Sequence, residues 1–422
     1  MANDYCEKID EMVMEFVKNS TDFFMLVRNL KSVHPIEIQN SIYRLFENGL
    51  LSQSQFIQIE SSAKTQTLEE DDSLKTLPVP HLVDFDWRFS REGIKWLVKK
   101  INTYIETAGV IVFIGSPLLY KHYCKNLTTN TEIYLIDFNA DKHIKNETFG
   151  VNCHIINCNI KYEFKGNIKL EEIRADIVVM DPPWYLEYYQ RFFDICNTIC
   201  KVDGRILGVF PPEMTRNSIS DEKQQLSDYV RLLGFEDLVF EKHCIGYSTP
   251  PFEKNVLRVK NINNYPNNWR IGDFFITTRK FHCPINLSNS SVCFSSENTI
   301  WSETNLGKIR IKFKQKPIDR DSIFDIKINS LYDGDIYPSV SRRFEGHKEI
   351  NIWTCGNRVY NCSNIPLMHI ILQQIECQDI GRSLELDYSV NLTDWQKKGI
   401  NLAQNILYEM KLAEEKEYGD WG

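Results

Sequence analysis

Ile177-Val178-Val179-Met180-Asp181-Pro182-Pro183-Trp184 decides how the rest of the chain is read. Four apolar residues in a row, mostly β-branched, have the pattern of a strand buried on both faces. The two prolines that follow end it, because proline lacks the N–H a sheet ladder needs and holds φ fixed. In open α/β sheets, ligands bind just beyond the carboxyl end of such a strand. Asp181 brings a carboxylate there, and the carbonyls around Pro182 and Pro183 point outward as hydrogen-bond acceptors. Trp184 adds a flat apolar face on which a planar ring can stack, worth ~1–3 kcal/mol where the ring is a base. Such a group holds an amino nitrogen still and turns its lone pair toward an incoming carbon, so that proximity and fixed acceptors supply much of the catalysis.

Working outward, residues 81–262 alternate short apolar runs with amphipathic stretches, which predicts a mostly parallel sheet covered on both faces. Strands are expected at 110–114, 132–137, 153–157, 177–180, 204–210, 237–243 and 255–260, and helices at 91–107, 118–125, 187–200 and 221–233. No helix separates the last two strands in this reading, so they are expected to close the sheet as an antiparallel hairpin. The first strand ends in Gly115-Ser116-Pro117, the second in Asp137 about twenty residues on, and the third in Asn157. Glu213 follows the fifth strand at the rim that carries Asp181, which makes it a candidate for contact with substrate. Tyr185, Tyr188 and Tyr189 follow Trp184 as a further stacking surface or as helix packing, and the 246–253 loop is a candidate cap over the site.

This layout resembles the class I methyltransferase fold, an α/β Rossmann-like sheet. Asp181-Pro182-Pro183-Trp184 resembles the Asp/Asn-Pro-Pro-aromatic motif of amino-methyltransferases acting on adenine N6 or cytosine N4. The resemblance makes S-adenosylmethionine the donor. Gly115 and Ser116 then lie against its methionine part, Asp137 receives the ribose hydroxyls, and Asn157 meets the adenine amino group. The order of motifs is unpermuted, unlike that of the messenger-RNA adenine methyltransferases with the same tetrapeptide.

Residues 20–260 also resemble the branched-chain polyamine synthases, which carry a winged-helix N-terminal domain before the same sheet and transfer an aminopropyl group from decarboxylated S-adenosylmethionine. Asp84-Phe85-Asp86-Trp87-Arg88-Phe89 resembles their entry segment, and by that resemblance Asp84 and Asp86 line an amine pocket. The donor turn departs from that family: Gly115 is followed by Ser116-Pro117-Leu118 rather than by acids, and paired carboxylates are what a polyamine needs to replace its hydration. The leading expectation is therefore methyl transfer to an amino nitrogen on a small molecule or a nucleic-acid base. Aminopropyl transfer and an inactive donor-binding module are the alternatives.

Around this centre, residues 1–60 show helical periodicity, with Pro35 opening one helix and Gly49 stopping it, in a pattern like a winged-helix pair. The polar, acidic stretch 61–80 has linker composition. The catalytic domain is expected over 81–280, and 281–422 as a separate α+β domain of unknown role. The terminal domains are candidate surfaces for a homodimer or a larger complex. The 422 residues are 42% hydrophobic, enough for two or three cores, and 49 basic against 57 acidic residues give a net charge of −8, which favours amines over polyanions as long-range partners. The 12 cysteines form no C-x-x-C pair and no signal-like segment opens the chain, which points to a reducing cytoplasm. No apolar run approaches a membrane span, and no cysteine or histidine spacing calls for a metal.

Overall fold

The computed structural model describes residues 2–65, 75–105, 109–126, 130–144, 149–160, 168–283, 301–314, 323–341, 348–377 and 379–418. It divides into two compact units, one of residues 1–77, 87–249 and 262–296 and one of residues 78–86, 250–261 and 297–422. The boundaries read from composition, at 60, 80 and 280, are not where the chain divides. The N-terminal helices belong to the first unit, and two short internal segments belong to the second.

The first unit opens with four helices, α1 (Ala2–Val17), α2 (Phe23–Asn29), α3 (Pro35–Glu47) and α4 (Gln53–Lys64). The starts of α3 and α4 have local causes. The His34 ring accepts the Ile36 N–H ahead of Pro35, and Ser52 and Gln55 form a reciprocal capping box. Past α3 the chain turns at Gly49, with φ +71°. Among the described residues of this segment there is no strand, so the helical pair is present and a β-wing is not.

An eight-stranded sheet follows, made from β1 (Arg88–Phe89), β2 (Val110–Ile114), β3 (Glu132–Asp137), β4 (Cys153–Asn157), β5 (Ala175–Met180), β6 (Cys200–Phe210), β7 (Val239–Ser248) and β8 (Arg270–Thr278). Between them lie α5 (Arg91–Tyr104), α6 (Pro117–Lys125), α7 (Ala140–Ile144), α8 (Ile168–Glu172), α9 (Leu186–Ile199) and α10 (Ile219–Leu232). The strand order is β1-β7-β8-β6-β5-β2-β3-β4, with β2 to β6 parallel and β8 antiparallel to both β6 and β7. This is the class I methyltransferase arrangement. Its core is the apolar sheet residues, such as Ile111, Phe113, Val178 and Phe275, under Leu97, Phe193 and Leu226 of the covering helices. Helix α5 lies so close to the sheet that a Cβ on Gly93 would come within 2.7 Å of the Gly246 carbonyl oxygen.

The expected strand at 255–260 is not one. It lies in helix α11 (Pro251–Val259), whose Phe252, Val256 and Leu257 are spaced to share one face. Pro250-Pro251 sets the helix start, a signal that outweighs the valines that suggested a strand. The antiparallel strand is β8, and it sits between β6 and β7 rather than closing the sheet as a hairpin.

The second unit is built on a five-stranded antiparallel sheet of β9 (Trp301–Leu306), β10 (Ile309–Lys314), β11 (Ile328–Ser330), β12 (Ile352–Thr354) and β13 (Val359–Cys362), in the order β11-β13-β12-β10-β9. Helices α12 (Ile365–Gln373), α13 (Ile380–Tyr388) and α14 (Asp394–Tyr418) complete it, and Ile309, Ile311 and Phe313 share its core with Met368, Leu384 and Leu407.

Candidate acceptor and donor site

Parallel pairing sets Gly115, Asp137, Asn157 and Asp181 along one rim of the sheet. Ile114 stands opposite Ile136 on β3 and Met180 on β5, and Asp137 stands opposite Asn157 on β4. The backbone links continue past the strands: Gly115 N–H donates to the Ile136 carbonyl at 3.0 Å and Asp181 N–H to the Ile114 carbonyl at 3.1 Å. Gly115 has φ +67°, and a Cβ there would lie 3.2 Å from the Asp181 carbonyl oxygen and 3.3 Å from the Phe192 ring. Glycine is needed for both the left-handed turn and the close approach. The Gly115 turn and the Asp-Pro-Pro-Trp segment are therefore in direct contact.

The residues of this rim fit S-adenosylmethionine. Ser116 precedes α6 and makes no capping bond, and its hydroxyl is buried without a hydrogen-bond partner. A buried orphan hydroxyl beside a left-handed glycine turn is suited to a ligand's polar groups. Asp137 accepts the Asn139 N–H at 2.7 Å, which fixes its carboxylate at the end of β3. Phe138, immediately after it, is 59% exposed, an open aromatic face that the sequence reading passed over. Asn157 is engaged otherwise than expected. Its amide donates to the Asp141 carboxylate, and its oxygen accepts the Asp141 N–H at 3.2 Å, which ties β4 to α7.

Around Asp181 the structure assembles groups distant in sequence. The Tyr247 hydroxyl donates to Asp181 Oδ1 at 2.5 Å. Arg270 stands opposite Tyr247 in the β7–β8 register, and its guanidinium carbon lies 3.9 Å from the Trp184 ring centroid and 4.0 Å from that of Trp87. Tyr189 closes the corner, its hydroxyl donating to the Val209 carbonyl at 2.7 Å. Burial pushes the Asp181 carboxyl up to about 7, against the opposing pull of the Tyr247 hydroxyl and the Arg270 guanidinium. The Tyr247 phenol is raised well above its ordinary value, by burial first and by Asp181 next, and so stays a donor.

Trp184 is not the open stacking platform the sequence suggested. It is only 6% exposed, edge-on to Tyr247 at 5.4 Å, with Arg270 over its ring. Gly272 makes the space: a Cβ there would sit 2.2 Å from Val209 Cγ1 and 3.4 Å from the indole. Of the two proline carbonyls, that of Pro183 accepts the Tyr185 N–H at 2.6 Å. No described group donates to that of Pro182. Tyr185 stands half-buried at the start of α9, 6.4 Å from Tyr188, while Tyr189 is buried. Glu213 lies past the end of β6, exposed and 3.8 Å from Lys242.

Asp84 and Asp86 are a correction. Both belong to the second unit, where Asp84 pairs with Arg310 at 2.6 Å and with Lys312, and Asp86 is 4.0 Å from Arg310. Cations within their own unit hold them, so they do not line an amine pocket. Arg270 is the residue that sequence reasoning missed altogether, since its meaning depends on the β7–β8 register. Tyr247 fell within the expected capping loop and Trp87 within the quoted entry segment, neither with this role.

Residues 86–240 match the family model described as probable N6-adenine methyltransferase. Among solved structures, the chain is similar to the branched-chain polyamine synthase from Thermus thermophilus at 9% identity, over 65% of this chain and 88% of that one, with a TM-score of 0.49. It is similar to a SAM-dependent O-methyltransferase from Thermotoga maritima at 12% identity, over 48% and 73%, with a TM-score of 0.31. A putative RNA methyltransferase from Pyrococcus horikoshii also matches, at 12% identity over 51% and 100%, with a TM-score of 0.31. No curated protein matches the sequence. The sheet topology and the family match make the central region an S-adenosylmethionine-dependent methyltransferase domain, and the chain an enzyme. No helix among the described residues is long and apolar enough to cross a membrane.

Proposed function

We propose that the chain methylates an amino nitrogen conjugated to a ring, with a nucleic-acid base as the acceptor class. Adenine N6 is the particular nitrogen that the matching family's description favours. The observation that carries this reading is the contact of the Gly115 turn with the Asp181 backbone, since a methyl carbon held at one can then meet an amine held at the other. When bound, S-adenosylmethionine supplies a methyl carbon on a sulfonium centre that an amine lone pair can attack directly, with S-adenosylhomocysteine as the product. Gly115, Ser116 and Asp137 hold the donor in this reading, with Phe138 beside its ribose end.

Asp181 and the Pro182 carbonyl accept the two amino protons. Their pull draws the nitrogen away from the flat, conjugated geometry in which its lone pair is delocalised and aims it at the rim. Pro182 and Pro183 keep these acceptors rigid, Trp184 backs them, and Tyr247 holds the Asp181 carboxylate in one orientation. Asp181 accepts the amine N–H and the Tyr247 O–H best when ionised, and the surplus proton of the methylated amine leaves to it or to water.

The test is methyl transfer from tritiated S-adenosylmethionine to oligonucleotides with and without adenine, followed by mass analysis of the nucleosides. One methyl on the adenine amino group is expected. Asp181→Ala should lower turnover ~10²–10³-fold, as loss of a transition-state hydrogen-bond group typically does, while calorimetric donor affinity stays within about threefold. Wild-type turnover in that variant overturns the assignment.

A further inference from the structure

We propose that the Ser32 hydroxyl, in the turn between α2 and α3, stands in for a missing strand at the start of β8 and so positions the acceptor clamp. This rests on the acceptor reading above and makes the N-terminal helices part of the acceptor site. The reason lies where β6 stops. Its last residue, Phe210, pairs with Asp273, and Pro211-Pro212 beyond it has no N–H with which to continue the ladder. β7 and β8 run on past that level, with Ile245, Gly246 and Tyr247 opposite Gly272, Ile271 and Arg270. The Gly246 carbonyl accepts the N–H of Ser90, just after β1, at 2.8 Å, so Gly246 faces away from β8. In an antiparallel ladder its opposite number, Ile271, then faces away from β7. Ile271 therefore turns both its N–H and its carbonyl toward the side that β6 has left. Ser32 meets both: its hydroxyl accepts the Ile271 N–H at 3.1 Å and donates to the Ile271 carbonyl.

Ser32 holds this place in a strained backbone. It is 2% exposed with φ +67°, a left-handed conformation that a residue with a Cβ adopts reluctantly. Such an outlier persists only where its surroundings over-determine it, and it points to a position that function constrains. On one side the Val33 N–H donates to the Leu30 carbonyl at 3.0 Å. On the other, His34 caps α3 and sets its ring edge-on to Trp269 at 5.0 Å. The stretch of β8 that Ser32 steadies is the wall of the clamp. Gly272 leaves the space for the Trp184 indole, and Tyr247, across the ladder, donates to Asp181. Movement of Ile271 away from Ser32 shifts both supports, and the Asp181 acceptor then no longer meets the amine in line with the donor. The Tyr5 hydroxyl adds a second contact of the N-terminal helices at this end of the sheet, donating to the Met214 carbonyl just past β6 at 3.0 Å. Ser32 acts through Ile271 and the residues packed on it, so it is a positioning residue.

Full-length Ser32→Ala and Ser32→Gly, each alone and with Tyr247→Phe, test this. Calorimetric S-adenosylmethionine affinity within about threefold of wild type reports that each is folded. Both variants lack the hydroxyl, but glycine accepts the left-handed backbone that alanine resists, so Ser32→Gly should unfold at the higher denaturant concentration. On an adenine-containing oligonucleotide both should lose turnover about tenfold, with acceptor KM changed less than about threefold. Wild-type turnover in both variants overturns the proposal. Wild-type turnover in Ser32→Gly alone also overturns it, because the role of Ser32 is then stability and not positioning. A second readout needs no turnover. Tyr247 from β7, Arg270 from β8 and Tyr189 from α9 face Asp181, and loosening the Tyr247 bond raises the Asp181 midpoint. The Asp181 carboxyl signal, followed by carbon NMR and assigned with Asp181→Asn, should titrate at least about 0.3 pH unit higher in Ser32→Ala than in wild type. In the Tyr247→Phe background Ser32→Ala should move it no further, since the two residues act on one bond. An unmoved midpoint, or a shift that adds in full to that of Tyr247→Phe, overturns the role of Ser32. Absence of base methylation in wild type overturns the acceptor reading instead, and leaves the midpoint and the double variant to decide Ser32 by themselves.

Discussion

Asp181 in the first unit and Asp84 in the second are both shielded aspartates near an arginine, and their carboxyls are shifted in opposite directions. Burial raises Asp181 to about 7. Asp84 is also penalised by burial, but Lys312 and Arg310 more than reverse the penalty and hold its carboxyl well below the usual carboxylate range. The difference lies in how the cations are placed. Arg310 donates to Asp84 at 2.6 Å, to Glu303 at 2.8 Å and to the Val79 carbonyl at 2.9 Å, and Lys312 also donates to Asp84. Arg270 lies over two indole rings, and the hydrogen bond described on Asp181 comes from a neutral phenol. A fully paired acid is a structural fastening, whereas an acid left near its titration point retains acceptor capacity for a ligand.

The largest effect that tests this contrast is on stability. Arg310→Met keeps the side-chain volume but leaves Asp84 and Glu303 short of a buried partner, which typically costs ~3–5 kcal/mol. Denaturant unfolding at neutral pH should show that loss. Its pH dependence has a definite sign. A carboxyl with a lowered folded value contributes stability above its ordinary value of 3.8, and that stability is lost as pH falls through the folded value. The gap between wild type and Arg310→Met should therefore narrow in strong acid. An equal gap at all pH values means that packing, not charge, is what Arg310 supplies.

Asp181 behaves with the reverse sign. Its raised value means that its share of stability is fully present below 3.8 and is lost as pH rises through about 7. Activity runs the other way, because the ionised form is the better acceptor, so turnover should climb across the same range. Removing the phenol that favours ionisation should raise the Asp181 value further. Tyr247→Phe is thus expected to move the rising limb of kcat by ~0.5–1 pH unit toward alkali, the worth of one buried hydrogen bond. An unmoved limb assigns the pH dependence to another group.

How far the site was legible follows from the distance over which each signal acts. Gly115, Asp137 and Asp181 announce themselves locally, as a glycine, an acid and a proline pair at strand ends, and parallel pairing then sets them on one rim. Arg270 carries no local signal. It acquires meaning only when β8 inserts between β6 and β7 and sets it opposite Tyr247, and that insertion was hidden while 255–260 was read as the last strand. Asp84 misled for a related reason. Its partner Arg310 lies 226 residues away, so from sequence it looked like an acid awaiting an external amine. The N-terminal helices were readable because capping and periodicity are local, while the division of the chain into units was not, because 78–86 and 250–261 join a unit encoded mostly after residue 296.

Glu213 offers the smallest and most discriminating comparison with Asp181. Both follow strand ends on the same rim and both were assigned to substrate from that position. Asp181 is shielded and bonded, whereas the Glu213 side chain is 55% exposed and its ion pair with Lys242 spans 3.8 Å. An exposed pair of that kind contributes ~0–1 kcal/mol, screened further by salt. Glu213→Gln should consequently change kcat/KM by less than about twofold at moderate ionic strength. If it falls about tenfold with KM unchanged, the transition state is also held from the β6 end of the rim, and the clamp is wider than the Asp181 corner. If KM alone rises, Glu213 contributes to binding without taking part in the alignment of the amine. The expected near-silence of this variant would confine alignment to the corner that Asp181, Tyr247 and Arg270 share.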